Sequence, residues 1–121
     1  MSILAWAAVL LCGGTGSVLR FLVDRIVANR FARSFPLGTL TVNVSGAAVL
    51  GIITGLALQG HAALLAGTAT VGSYTTFSTW ILETRLLSEE RQWRLAVTNI
   101  VASLILGLTA ALLGQAAVER I

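Results

Sequence analysis

The chain has 121 residues, 56% of them hydrophobic and only 11% charged, and its mean hydropathy is +0.89. That composition belongs to integral membrane proteins and excludes a water-soluble globular domain. The formal charge of +3 comes from arginine alone, and the arginines flank apolar stretches without forming the basic stripe that a nucleic-acid partner requires.

A helix needs about 20 apolar residues to cross the hydrocarbon core of a bilayer. Four stretches satisfy this, and one domain over residues 1–121 is expected. The first stretch runs from Ile3 to Val23. It lacks a basic leader and carries the cluster Gly13-Gly14-Thr15-Gly16, so it reads as a retained helix and not as a cleaved signal peptide. Cys12 is the only cysteine, cannot form an intrachain disulfide, and is expected to serve as a small apolar filler. Arg20, near the end of this stretch, either snorkels to the interface or concentrates anions in a vestibule.

A connection is expected from Asp24 to Pro36. Pro36 is the only proline and suits a helix start, where a missing amide donor costs little. The second span runs from Leu37 to Leu58. Asn43 within it is either a partner in a hydrogen bond between helices or an amide donor for a permeating anion, and the sequence leaves both open. Asn43-Val44-Ser45 matches a glycosylation sequon but lies inside a span and is discounted. Ala47, Gly51 and Gly55 form a row of small residues at spacing four, which predicts a closely approaching partner helix.

After a short link from Gln59 to His61, the third span runs from Ala62 to Leu82. It contains Gly72-Ser73-Tyr74-Thr75-Thr76-Phe77-Ser78-Thr79-Trp80, where six of the seven residues after the glycine carry hydroxyls. Backbone that leaves helical geometry at membrane depth survives only when buried in protein or when lining a water or ion site. The stretch therefore points to transport. Thr75, Thr76, Ser78 and Thr79 either line a polar track or bond back to the preceding turn, and their density beside a glycine favours the track. A break here frees carbonyls such as those of Gly72 and Thr75, and unwound carbonyls can hold a small cation. Phe77 and Trp80 share a helix face and either pack or turn their ring edges toward an anion.

Glu83 and Arg85 close the third span, and a connection is expected from Glu83 to Arg94. Trp93 sits where an interfacial anchor belongs. The fourth span runs from Leu95 to Val118. Asn99 and Ser103 lie four apart on it, as either helix contacts or an extended polar face. Ser103, Gly107 and Ala111 form a second row of small residues.

With four spans both termini share one side, which holds only Arg120. The other side holds Arg25, Arg30, Arg33, Arg85, Arg91 and Arg94, with Arg20 close by. The positive-inside rule then favours cytoplasmic first and third loops. No nucleophile–base pair is evident, so no enzyme activity is expected. His61 has no companion ligand, and Gly14-Thr15-Gly16 lacks the strand and glycine spacing of a phosphate loop.

Three segments together resemble the Fluc (CrcB) family of fluoride channels. Gly13 through Arg20 resembles the family's first-helix motif, Phe35-Pro36-Leu37-Gly38-Thr39-Leu40-Thr41-Val42-Asn43 its second-helix start, and Gly72 through Trp80 its third-helix break. Order, spacing and layout match over nearly the whole chain. The resemblance implies an all-α integral membrane fold of four transmembrane helices, the third broken near the midplane, in an antiparallel dual-topology dimer. It implies two fluoride pores along the subunit interface and a central structural Na+ shared by both subunits. That ion would be held by the backbone carbonyls of Gly72 and Thr75. Asn43, Phe77, Trp80, Ser78, Thr79 and Ser103 would line the fluoride pathway, with Arg20 at its vestibule. Passive export of fluoride across the cell membrane would follow. The family's second pore phenylalanine is Trp80 here, an indole with an added N–H donor. The second glycine of the break is Ser73. The one-sided arginines fit a chain that pairs with a paralogous partner in fixed orientation, and a homodimer is the competing expectation.

Two rivals carry different signatures. A small multidrug-type proton-coupled exporter needs a membrane-embedded carboxylate in its first span, and this one has none before Asp24. A non-conducting membrane subunit would explain the rows of small residues but not the hydroxyl-rich break.

Overall fold

The computed structural model describes residues 2–31, 35–57 and 60–120, and every regular element in them is helical. Helix α1 spans Ile3–Arg30 and α2 spans Leu37–Leu56. A short α3, Gly60–Ala63, runs into a π-helical stretch, Leu64–Val71, followed by α4, Gly72–Tyr74. After a non-helical step come α5, Ser78–Glu89, and α6, Trp93–Glu119. Three helices, α1, α2 and α6, are long and apolar enough to cross a membrane. The fourth expected span falls on the segmented run from α3 to α5. The chain is a multi-pass membrane protein.

The helices outrun the apolar spans at the loop side. The connection expected from Asp24 is helical as far as Arg30, whose guanidinium in the last turn suits the negative end of the helix. Arg25 lies over the Phe21 ring at 5.6 Å, which ties this extension to the apolar part of α1. Likewise α5 continues past Glu83 to Glu89, helped by an exposed Arg85–Glu89 pair one turn apart. Ser2 caps α1 by accepting the Ala5 N–H. Arg33 and Leu58 lie outside the described residues.

The two rows of small residues meet at Gly51 and Ala111. At Gly51, an added Cβ would fall well inside contact distance of the Ala111 carbonyl, and at Gly114 it would do the same to the Ala48 carbonyl. Val118 and the Gln115 carbonyl close on Gly55 in the same way. α2 and α6 therefore cross with backbone against backbone, the arrangement that small residues at spacing four permit in lipid. Gly107, in the same row, faces open space. Most large apolar side chains point outward, among them Leu11, Ile26, Leu104 and Leu113, as expected of a surface solvated by lipid tails.

Candidate functional site

The chain leaves helical geometry at Thr75-Thr76-Phe77, three residues later than the first glycine of the motif. Gly72, Ser73 and Tyr74 still complete a helical turn, and Thr75 then turns to extended backbone at φ −79°, ψ 161°. Ahead of the break, Leu64–Val71 is wound as a π-helix, and the Thr70 hydroxyl reaches back five residues to the Leu65 carbonyl at 2.7 Å. Such widened turns are rare and concentrate at functional sites. Nothing in the composition of Leu64–Val71 announces it. The extra residue per turn changes hydrogen-bond register without changing which residues are apolar.

Glycines from two helices make room for this segment. Gly16 is the only buried residue of α1, and a Cβ there would strike the Thr70 carbonyl and crowd Ser73 and the Tyr74 amide. Gly13 sits over the Ser73 hydroxyl. From α2, Gly46 faces Thr75 and the Tyr74 ring, with no space for a side chain. The Gly13–Gly16 motif is thus a socket for the broken helix, which explains its place in the chain.

Asn43 holds the break. Its Nδ2 donates to the Thr76 carbonyl at 2.7 Å, and its Oδ1 accepts the Thr76 N–H at 2.8 Å. The side-chain amide thereby replaces the backbone partners that Thr76 would have in an unbroken helix. The Thr76 hydroxyl in turn accepts the Thr79 N–H at 3.2 Å and caps α5. Next to it, Ser45 and the Tyr74 hydroxyl are 2.9 Å apart. Thr39 donates to the Glu83 carboxylate, linking α2 to α5 below the break.

The expected track residues divide into two groups. The Thr75 hydroxyl bonds back to the Val71 carbonyl at 3.2 Å, and Thr76 caps, so both are occupied in local structure. Ser78 is exposed, Thr79 is half-buried, and Ser103 Oγ is buried without a partner among the described residues. Phe77 is 70% exposed, with its ring edge-to-face against Trp80 at 5.6 Å and 75°. Asn43, Gly72, Thr75, Phe77, Trp80 and Ser103 all border one open cavity of about 770 Å³. Arg20 is half-buried on α1, forms no ion pair among the described residues and does not border that cavity.

The break also leaves acceptors free. Thr75 N–H bonds the Val71 carbonyl, and Thr76 N–H is taken by Asn43. Among the described residues no hydrogen bond reaches the carbonyls of Gly72 or Thr75. Such oxygens suit a hard cation. No group of three or more His, Cys, Asp or Glu side chains gathers as a metal site among the described residues.

One partnership was not legible beforehand. The Trp80 indole N–H donates to the Asn99 carbonyl at 3.1 Å, and Asn99 Nδ2 approaches the Trp80 carbonyl at 3.4 Å and the Thr84 hydroxyl at 2.8 Å. Asn99 is fully buried. The bland expectation for Asn99, a contact between helices, describes what it does.

A helical multi-pass protein whose amide, hydroxyl and aromatic groups converge on a helix break is built as a membrane transport protein and not as a lipid-embedded scaffold. The comparison with known proteins makes the assignment specific. Residues 7–115 match the family described as CrcB-like protein, Camphor Resistance (CrcB), and the chain belongs to that family. It is 64% identical over 115 residues to the fluoride-specific ion channel FluC 2 of Mycobacterium tuberculosis, covering 95% of this chain and 91% of the relative. It is 43% identical over 119 residues to the fluoride-specific ion channel FluC 1 of Leifsonia xyli, covering 94% and 86%. A FluC channel of Shewanella is 40% identical over 111 residues, covering 88% and 90%.

Proposed function

We propose that this chain is a subunit of a fluoride-specific channel that lets cytoplasmic fluoride leave the cell passively. The observation that carries the reading is the helix break held open by the Asn43 amide, with the start of α5 and the Phe77 ring beside one cavity. Fluoride is small and tightly hydrated, so its pathway must replace water with close donors. The amide of Asn43, the hydroxyls of Ser78, Thr79 and Ser103, and the ring edges of Phe77 and Trp80 supply positive ends of dipoles. The N-terminal turn of α5 adds backbone N–H groups and the favourable end of the helix dipole. Hydrofluoric acid enters a cell neutral and ionises inside, so an open anion pathway is enough to expel fluoride down the membrane potential.

In this reading the run from α3 to α5 crosses the membrane as a fourth, broken span. Two subunits pair antiparallel, and the exposed Phe77 face of each meets its partner. The carbonyls of Gly72 and Thr75 fit a structural Na+, because they are hard oxygens with no hydrogen bond to satisfy them. Two per chain are too few for a cation, which suits an ion shared by two subunits. Its positive charge would offset the cost of burying an anion nearby. Arg20 serves as a vestibule charge outside the cavity.

The one-sided arginines support a second arrangement, in which this chain inserts in one orientation and pairs with a paralogous chain of the opposite orientation. Fluoride efflux from proteoliposomes containing only this chain, read against chloride, tests both. Rapid efflux silent to chloride establishes a self-sufficient channel. Efflux that needs a co-reconstituted sibling establishes the paired form, and no fluoride efflux in either case sinks the channel reading.

A further inference from the structure

Trp80 could face a permeating anion with two different positive groups, its ring edge or its indole N–H. The geometry assigns the N–H elsewhere. It donates across the α5–α6 contact to the backbone carbonyl of Asn99 at 3.1 Å, while the Asn99 Oδ1 has no partner among the described residues. From the other side, Asn99 Nδ2 approaches the Trp80 carbonyl at 3.4 Å. The same nitrogen donates at 2.8 Å to the Thr84 hydroxyl, which itself donates to the Trp80 carbonyl at 2.9 Å. The hydroxyl's own donation to a carbonyl fixes the orientation of the amide, since the group it receives from must be the NH2. Asn99 is 0% exposed, so this lock works without competition from water or lipid.

We infer that Asn99 is a positioning residue for Trp80: its side-chain amide holds the Trp80 backbone and Thr84 against α6, in the register where the Asn99 backbone carbonyl takes up the indole N–H and only the ring edge is presented beside Phe77. This inference rests on the channel reading above. Three facts point the same way. The bonds run in both directions between the two residues, so neither ring rotation nor sliding of α5 along α6 is free. Trp80 is half-buried and borders the cavity, while Asn99 does not border it. The Phe77 and Trp80 rings stand edge-to-face at 75°, an arrangement that a rotated indole would lose. Trp80 is thereby restricted to the ring-edge chemistry of its phenylalanine neighbour, despite carrying a stronger donor. Asn99 acts on the permeating ion only through Trp80.

The test follows the indole N–H by nuclear magnetic resonance. The whole chain, labelled at its tryptophans, gives signals from Trp6, Trp80 and Trp93, and Trp80→Phe identifies the relevant one. The Trp80 N–H is expected to exchange with solvent deuterium far more slowly than that of Trp93, which is exposed at the start of α6 where an interfacial anchor belongs. It is also expected to keep its shift when fluoride is added to a sample whose fluoride flux has been measured. A shift that titrates with fluoride, while chloride leaves it unmoved, would show the N–H bonding the ion and overturn the proposal. Asn99→Leu keeps the bulk and the backbone carbonyl that accepts the indole N–H, and removes only the amide that holds the Trp80 backbone and Thr84 in register with it. Expected are faster exchange of the Trp80 N–H and a fall in fluoride flux of about threefold to twentyfold, the range that one hydrogen bond between membrane helices carries. Thr84→Val removes the relay by itself and is expected to move both readouts in the same direction by less. Unchanged exchange in a folded Asn99→Leu protein would overturn the lock. If Asn99→Leu does not fold, the fluoride titration of the parent protein decides alone. A parent that passes no fluoride with or without a sibling chain defeats the channel reading, while the exchange measurement still judges the lock.

Discussion

The side chain of Asn43 and the backbone of Thr76 pair as two strands would, one N–H to one carbonyl in each direction, at 2.8 and 2.7 Å. A helix can be broken inside a membrane only if something else satisfies the amide and carbonyl released by the break. One side chain on α2 does both. Asn43→Leu leaves a donor and an acceptor unpaired and is expected to destabilise the fold by about 2–4 kcal/mol. Asn43→Asp keeps the acceptor but cannot donate when ionised, and should recover at most part of that loss. Thermal unfolding of both variants in one detergent, beside the parent, checks the order.

Glycines in these helices should respond oppositely according to what an added methyl would meet. Gly16→Ala drives a methyl into the Thr70 carbonyl, and Gly51→Ala drives one into the Ala111 carbonyl. Each is expected to cost about 1–3 kcal/mol, the usual penalty of overpacking. Gly14 has nothing within 4 Å of an added Cβ. Gly14→Ala should be neutral or stabilise α1 by up to about 1 kcal/mol through helix propensity. Unfolding midpoints measured on the three variants would expose an error if Gly14→Ala proved as damaging as Gly16→Ala.

Phe77→Ile tests the ring at the cavity. Phe77 is 70% exposed and touches Trp80 edge-to-face, so its loss is expected to leave the fold intact. Fluoride flux should disappear, because an aliphatic side chain has no positive edge to offer. Undiminished flux through a folded variant would remove Phe77 from the pathway.

Ala57 ends α2 in the left-handed conformation, at φ 54° and ψ 41°. An L-residue with a Cβ is strained there by about 1–2 kcal/mol, and glycine is not. Ala57→Gly is therefore expected to raise stability by about 1 kcal/mol. A lowered unfolding temperature would show that the Ala57 methyl contributes more by packing than it costs in strain.

Sodium replacement addresses the free carbonyls. Exchanging Na+ for a bulky organic cation on both sides of the membrane, with fluoride held constant, is expected to reduce flux and to lower the unfolding temperature. Unchanged values in sodium-depleted samples would remove the cation from the proposed function.

The sequence announced the spans well, because hydropathy reports what lipid touches. It placed α1, α2 and α6 within a few residues at most ends, and it under-reached where α1 and α5 continue as polar helix to Arg30 and Glu89. The break was legible from Gly72 and the hydroxyls, although the backbone departs only at Thr75. What could not be read is which polar group meets which. Asn43 was open between two roles, and its bond to the Thr76 backbone involves no side-chain signature at Thr76. The pairing of Trp80 with Asn99 depends on how α5 lies along α6. The rows through Gly51 and Ala111 each predicted a close neighbour, and only the structure matched them to each other.

The contacts on either side of the break belong to different companions. The π-helical stretch and α4 lie mainly against α1, whereas α5 lies against α6, which is itself joined backbone to backbone with α2. Thr75, Thr76 and Phe77 thus lie where these two sets of contacts meet, and Asn43 reaches from α2 to pin the middle residue. The two sets of helices also meet directly, where α1 packs on α2 and where Ser45 of α2 reaches the Tyr74 hydroxyl. A change at Thr76 is therefore felt by α2 and α5 together, through Asn43 and through the Thr79 N–H.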